Sequence, residues 1–282
     1  MSQKIIDLCE KAEHLNYSAK YRSGNITTLP AVGELIVAGD LHGHRRNFEK
    51  IVTFADLENN PQTHVVLQEI LHGGPEDEYG GCLSFELFFK VLEYQLAFPQ
   101  QVHLILGNHD TAIITDSDVL KSGKEMSKAM KSAMKRAYDQ EYKDIDIALR
   151  RCLLSQLLAV RCPNRIWISH SLPADNYIDS FNMEIFTNSL RPMDMARPES
   201  AYLLTWGRRH NLETLEKLAD MFDVDTFLLG HQPQEAGWTN NGKNLIIIAS
   251  DHNHGCVIKF DLAKTYTIEQ LCECVTPLAS IV

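Results

Sequence analysis

The sequence predicts an α/β fold, a sheet flanked by helices and completed by a second sheet. Three observations predict it. Short apolar runs alternate with helix-periodic segments from Glu34 to Leu229. Beyond Gly230 apolar runs follow one another with only turn residues between them, and the stretch from Thr111 to Val160 carries helical patterns and no motif.

In order, Ile5, Ile6, Leu8, Cys9 and Ala12 have the spacing of a short leading helix over residues 3 to 15. Strand-length runs follow at Glu34–Ala38, His64–Leu67, Val102–Leu106, Arg165–Ser169 and Thr226–Leu229. Helical patterns fall at roughly 44 to 57, 83 to 97, 124 to 160 and 211 to 222. The last runs, Leu245–Ala249, Val257–Phe260 and Tyr266 to Cys274, read as antiparallel strands of the second sheet. The expected organisation is a lead-in over residues 1–30 and one domain over 31–282, with a helical insertion at about 111–160 as a candidate cap.

A chain of 282 residues buries a substantial core without disulfides or a structural metal. The 27 Lys and Arg against 37 Asp and Glu give a net charge of -10, which argues against nucleic acid or an anionic membrane as partner. The seven cysteines are scattered and lack paired zinc or redox spacing, so they read as reduced, mostly buried small hydrophobes. Cys272 and Cys274 are the exception to weigh, since alternate residues of a strand share a face. The first fifteen residues are too charged for a signal peptide and no window approaches a membrane span, so a cytoplasmic location is expected.

Chemistry-bearing residues begin where the apolar runs end. Asp40 and His42 follow one run, Glu69 the next, Asn108 and His109 a third, His170 a fourth and His231 a fifth. Ligands of open α/β sheets bind at the carboxyl ends of strands, because side chains from adjacent loops converge there. Carboxylate and carbonyl oxygens mixed with imidazoles suit manganese, iron or zinc better than calcium. Glycines at 39, 43, 107 and 230 permit tight turns beside these residues.

The strings Gly39-Asp40-Leu41-His42-Gly43, Gly107-Asn108-His109-Asp110, His170 and Gly230-His231 resemble the calcineurin-like metallophosphoesterases, most of all the branch of serine/threonine protein phosphatases and diadenosine tetraphosphatases. The resemblance runs from about Glu34 to Asp261. It implies a four-layer α/β/β/α sandwich with two mixed sheets, an inserted helical cap, and two divalent or trivalent metal ions at one end. By the same resemblance Asp40 and His42 would hold the first metal, Asn108, His170 and His231 the second, and Glu69 would bridge both. His109 matches the histidine beside the leaving group. The implied chemistry is hydrolysis of a phosphate ester, in which two cations activate water and a positioned histidine protonates the departing oxygen. The partner is a phosphorylated protein or small molecule.

The second motif departs from the family pattern Gly-Asp-x-x-Asp-Arg-Gly, reading Gln68-Glu69-Ile70-Leu71-His72-Gly73-Gly74. Glu69 keeps a carboxylate with one more methylene. His72 stands where an aspartate would orient the catalytic histidine, and is a substrate or metal contact or a surface-loop histidine. Gly73 removes the arginine that grips phosphate, leaving Arg208, with Arg209 behind it, as replacements. Asp251, His252 and His254 are either outer contacts of the site or turn residues. Met126, Met130 and Met134 lie four apart with lysines between them, which fits an amphipathic helix with a solvated basic side, or a cap whose methionine face borders the substrate and whose lysines attract a phosphorylated partner. Three functions stand: phosphomonoesterase, dinucleoside polyphosphate hydrolase, or a metal-binding scaffold with weakened catalysis.

Overall fold

The computed structural model describes residues 2–121 and 123–281. Helix α1 (Ser2–Ser18) leads to β1 (Arg22–Ser23), β2 (Ile26–Thr28) and β3 (Glu34–Asp40). Then come α2 (Arg45–Ala55), β4 (Thr63–Gln68), α3 (Ser84–Ala97), β5 (Val102–Ile105) and α4 (Asn108–Ile114). A small hairpin, β6 (Leu120–Lys121) and β7 (Lys124–Glu125), precedes α5 (Met126–Tyr138) and α6 (Tyr142–Leu154). The second half holds β8 (Ala159–Arg161), β9 (Ile166–Ser169), α7 (Ser200–Trp206), α8 (Leu212–Phe222) and β10 (Thr226–Leu229). It ends with β11 (Trp238–Asn240), β12 (Leu245–Ile248), β13 (Cys256–Asp261), α9 (Ile268–Glu273) and β14 (Val275–Pro277).

The strands form two mixed sheets, ordered β14-β13-β3-β4-β5 and β1-β2-β8-β9-β10-β12-β11. In each the strands that carry the motifs are parallel: β3, β4 and β5 in one, β9, β10 and β12 in the other. Alternation sorts their side chains between two cores. Leu35, Val37, Val66, Ile105, Ile166, Ile168, Leu228, Ile246 and Ile258 meet between the sheets. Their neighbours Ile36, Ala38, Val65, Leu67, Trp167 and Phe227 face outward into the helices. There Phe48 and Ile51 of α2, Phe85 and Phe88 of α3, and Leu218 and Phe222 of α8 cover them; Trp167 and Phe222 lie 4.6 Å apart by ring centroid. Both faces of each central strand are thus buried, which is why the runs read as continuous apolar segments.

Two expectations are corrected. Residues Tyr266 to Cys274 are not a strand: Ile268–Glu273 is helical, and pairing with β13 begins only at Val275. Thr267 and Gln270 form a reciprocal capping box, with Gln270 Oε1 accepting the Thr267 amide at 2.9 Å. Ile268 and Leu271 then bury one helical face, so Cys272 and Cys274 do not share a strand face. The strands after Gly230 also do not stay together. β12 joins β10 in parallel, while β13 crosses to pair antiparallel with β3.

The methionine stripe belongs to the core, with Met126, Met130 and Met134 all buried. Four cations of this segment are paired: Lys124 with Glu76, Lys128 with Glu125, Lys131 with Asp116 and Arg136 with Asp77, while Lys135 lies over the Tyr142 ring. Of the inserted stretch, Val119 and Leu120 reach the cleft described below. Among the described residues no helix is long and apolar enough to cross a membrane.

At the opposite end of the sheet from the motif residues, His64 of β4 and His103 of β5 are buried against each other, Nδ1 to Nε2 3.1 Å apart. Burial drives His64 down to about 4 and His103, also facing His64, to about 3. A base with a depressed folded pKa stabilises fully above its unfolded value near 6.5, and that stability is lost as pH falls toward the folded values. Urea unfolding at pH 7 and pH 5 should therefore show a loss of about 2 kcal/mol per histidine. A His64→Val/His103→Val variant should lose this share of the dependence, whatever its absolute stability, and keep the share that the buried His170 and His231 contribute.

Candidate metal centre

The two sheets touch where the site begins. Asp40, the last residue of β3, forms a parallel bridge to Ala249 just beyond β12. The Gly39 amide donates to Ser250 Oγ at 3.0 Å, and the Ser250 amide to the Asp40 carbonyl at 3.1 Å. Gly39 is required there, because a Cβ would lie 1.9 Å from the Ile248 carbonyl. The β3 and β4 loops are knitted next to it: the Leu41 and His42 amides donate to the Glu69 carbonyl at 3.0 and 2.9 Å, and the Gly43 amide to Ile70 at 2.8 Å.

Sharp turns aim the side chains inward. His42, Glu69, His72 and His231 all have positive φ, between 42° and 66°. Non-glycine residues held this way cost of order 1–3 kcal/mol each and cluster at functional sites. Asn108 and His109 open α4, whose start is capped by the Asp110 carboxylate accepting the Gly107 amide at 2.9 Å. One oxygen of Asp110, Oδ2, is thus committed to the helix cap.

The six expected ligands converge. His42 Nε2 is 3.5 Å from Asp40 Oδ2, and His170 Nδ1 is 3.7 Å from Asp40 Oδ1. His170 Nε2 lies 3.1 Å from Glu69 Oε2 and 3.0 Å from Asn108 Oδ1, which His231 Nδ1 also approaches at 2.9 Å. Burial alone would raise the Asp40 carboxyl. His170, His42 and the His231 amide, donating at 2.9 Å, instead hold it well below the usual carboxylate range. Burial lowers His170 to about 4 despite Asp40, and burial together with His170 and the Arg208 charge lowers His231. Near neutrality the Asp40 carboxylate is therefore ionised and the imidazoles of His170 and His231 neutral, the forms that coordinate cations.

Gln68 was not foreseen. Buried at the end of β4, its Nε2 donates to the Ala38 carbonyl at 3.0 Å, which turns Oε1 toward His170 Nδ1 at 2.9 Å. That contact fixes the Nδ1–H tautomer and points the Nε2 lone pair at Glu69 and Asn108. The available signal was a polar residue ending an apolar strand directly before Glu69.

His109 lines a cleft of about 270 Å³ together with Asp40, His42, Asn108, Trp206 and Arg208. Its amide donates to Glu69 Oε2 at 3.3 Å, and its ring packs 4.4 Å from that of His72 and 5.5 Å from that of His42. His72 itself is wholly buried behind His109, its amide donating to Ser84 Oγ at 2.9 Å, and does not line the cleft. Arg208 stands exposed at the cleft mouth, whereas Arg209 lines an adjoining groove. Asp251 borders the cleft, and His252 is engaged with the Gln234 carbonyl at 2.9 Å. Trp206 is fixed beside the ligands by its Nε1–H, which donates to Thr111 Oγ1 at 3.1 Å.

The family model of calcineurin-like phosphoesterases matches residues 34–252. The chain belongs to that family; it is a hydrolase of phosphate esters, and membership implies divalent metal ions. Among solved structures it is similar to a serine/threonine phosphatase from Saccharomyces cerevisiae described as similar to human phosphatase PP5. That likeness has 15% identity and a TM-score of 0.68, and covers 93% of this chain and 83% of the other. A cold-active protein-tyrosine phosphatase from a psychrophilic Shewanella species follows, with 14% identity, a TM-score of 0.59, and 92% and 83% coverage. At such identities the likeness is one of fold. No curated protein sequence matches the chain.

The residues present fit metal ions. With His170 protonated at Nδ1, its Nε2 lone pair faces the oxygens of Asn108 and Glu69 at 3.0 and 3.1 Å, an arrangement of acceptors that a cation relieves. His231 Nε2 is buried with no hydrogen-bond partner. Among the described residues no three His, Cys, Asp or Glu side chains stand as a ready-made cage. The donors touch one another, with Asn108 between two imidazoles, so binding a metal ion would exchange these contacts for metal bonds.

Gly107 has no room for a side chain, since a Cβ would fall 1.9 Å from Glu69 Oε2. Gly107→Ala should displace that carboxylate and weaken metal retention by about tenfold or more, read as metal content after dialysis; unchanged stoichiometry would remove Glu69 from the centre. Gly73, at φ 110° with a Cβ site 2.8 Å from the His42 carbonyl, should not accept the family arginine. Gly73→Arg is expected to cost about 1–3 kcal/mol, visible as a lower Tm.

Proposed function

We propose that this calcineurin-like phosphoesterase is a phosphomonoesterase with two metal ions, acting first on phosphoserine or phosphothreonine in protein. The observation that carries the reading is the convergence of Asp40, His42, Glu69, Asn108, His170 and His231 from five strand ends onto one cleft edge, with His109 beside them.

Asp40 and His42 would hold one ion, Asn108, His170 and His231 the other, and Glu69 both. The mixture of carboxylate, amide oxygen and imidazole favours manganese, iron or zinc. Bound ions supply Lewis acidity toward water and the phosphoryl oxygens. The chain's own residues do the rest. Arg208, placed at the cleft mouth, grips the phosphoryl group in place of the arginine missing at Gly73. Trp206 walls the same cleft and limits water. His109 donates the proton that the departing oxygen needs, its ring held between those of His42 and His72. His72 acts as a positioning residue, because its buried ring backs that of His109 rather than reaching the substrate.

The test is a panel with Mn²⁺: p-nitrophenyl phosphate, its diester, phosphoserine and phosphotyrosine peptides, and diadenosine tetraphosphate. Turnover of p-nitrophenyl phosphate and the phosphoserine peptide is expected. Activity confined to the diester or the tetraphosphate would overturn the proposal, and metal binding without turnover anywhere would favour a scaffold. His109→Ala should lower kcat by about 10²–10⁴, and Arg208→Ala should raise KM by about tenfold. Full activity in the His109 variant would sink its assignment.

A further inference from the structure

Beside the cleft lies a second groove of about 300 Å³ that shares Trp206 and Arg208 with it. Its other walls include Tyr177, Arg197, Tyr202 and Arg209. Tyr202 and Trp206, one helical turn apart on α7, stack at 5.4 Å and 13°, so each turns one ring face to the other. Arg197 donates through Nε to the Tyr177 hydroxyl at 3.2 Å and lies over that ring. The charged residues that line the groove are three arginines, with no carboxylate among them.

In a chain of net charge -10 this concentration of unneutralised base is unusual. Elsewhere most exposed arginines find carboxylates: Arg45 with Glu86, Arg136 with Asp77, Arg151 with Glu13, Arg165 with Asp223 and Asp225, and Arg191 with Asp194, while Arg46 stands alone on α2 without an ion pair among the described residues. Among the described residues no ion pair involves Arg197, Arg208 or Arg209. Asp175, at the start of the turn that bears Tyr177, is engaged by the Asn211 amide at 2.9 Å. Like charges gathered without counter-ions repel, and an anion with forked oxygens relieves them best.

We propose that this groove binds a second anionic group of the substrate. The inference rests on the phosphomonoesterase reading: a monoester has one organic substituent, so a group that reaches the groove while the phosphoryl group sits in the cleft belongs to the leaving part. The enzyme therefore selects phosphoesters whose leaving group is itself anionic. The second anion is an acidic side chain beside a phosphoamino acid or a second phosphate on a small organic molecule. The two sources share the chemistry of carboxylate or phosphate oxygens on guanidinium.

The experiment compares kcat/KM with Mn²⁺ for two matched pairs: a phosphoserine peptide flanked by Glu against the same peptide flanked by Gln, and glucose 1,6-bisphosphate against glucose 6-phosphate. The charged member of at least one pair should be preferred by about tenfold, and the pair that shows it identifies the source. Arg197→Gln and Arg209→Gln should each reduce the preference about fivefold, a ratio that a general loss of folding or metal leaves unchanged. Absence of preference in both pairs, or a preference indifferent to both substitutions, overturns the proposal. If even p-nitrophenyl phosphate is not hydrolysed, the phosphomonoesterase reading fails separately. Anisotropy of a fluorescent Glu-flanked phosphopeptide then decides the groove: binding weakened by Arg197→Gln and by 0.5 M NaCl supports it, and insensitivity to both refutes it.

Discussion

The closeness of the two sheets at Gly39 is the constraint on which the site depends. A β-sandwich ordinarily keeps its sheets about 10 Å apart, filled by side chains. Here, at the carboxyl end of β3, the backbones come within hydrogen-bonding reach through Gly39, Asp40, Ala249 and Ser250. The pinch places the ends of β3 and β4 from one sheet opposite those of β9 and β10 from the other. Ligands from both sheets can then reach a common centre on short side chains, without long flexible loops to order. A substituent at Gly39 would push against the Ile248 carbonyl and separate the two halves of the centre at once.

Glycine serves a second purpose there, one that φ alone does not reveal. Gly107 and Gly230 leave space for carboxylates rather than for a turn. The Cβ of any residue at 107 would invade Glu69, and at 230 it would meet Asp40 Oδ1 at 2.4 Å and Gln68 Oε1 at 2.7 Å. Buried carboxylates and imidazoles are expensive unless each is paired. The pairing of Asp40 with the His231 amide and two imidazoles, and of His170 with Gln68, supplies part of that compensation within the protein. Strained residues at 42, 69, 72 and 231 are part of the same cost, carried by a large, doubly layered core.

Much of this was legible in the sequence because the determinants are local. Fully buried parallel strands show as unbroken apolar runs, and Asp40, Asn108, His170 and His231 stand directly after them. What escaped is set by packing or by competing local signals. The Thr267–Gln270 cap outweighed the β-like composition of Tyr266 to Cys274. Strands of two or three residues, such as β1, β2 and β11, are too short to show a period and exist because a neighbouring strand offers an edge. Gln68 orients a histidine 102 positions away, a pairing that only the parallel arrangement of sheets creates. That Arg208 borders both hollows while Arg209 borders only the second is likewise decided by how the chain leaves α7, not by the residues themselves.

The altered second motif follows from the same geometry. Gly43, Gly73 and Gly74 bring the β3 and β4 loops into backbone contact: a Cβ at 43 would meet the Gly73 carbonyl at 2.6 Å, and one at 74 the Gly43 carbonyl at 2.6 Å. An arginine at 73 cannot coexist with that approach unless the loops part. If they part, the amides of Leu41, His42 and Gly43 lose their carbonyls on Glu69 and Ile70. On the proposed reading the phosphate grip comes from outside these loops, and the end of α7 is the element that presents a guanidinium group, that of Arg208, at the cleft. Moving the grip there also leaves the flank of the cleft nearest α7 strongly cationic. On that reading, backbone packing in one loop bears on which leaving groups the opposite wall accepts.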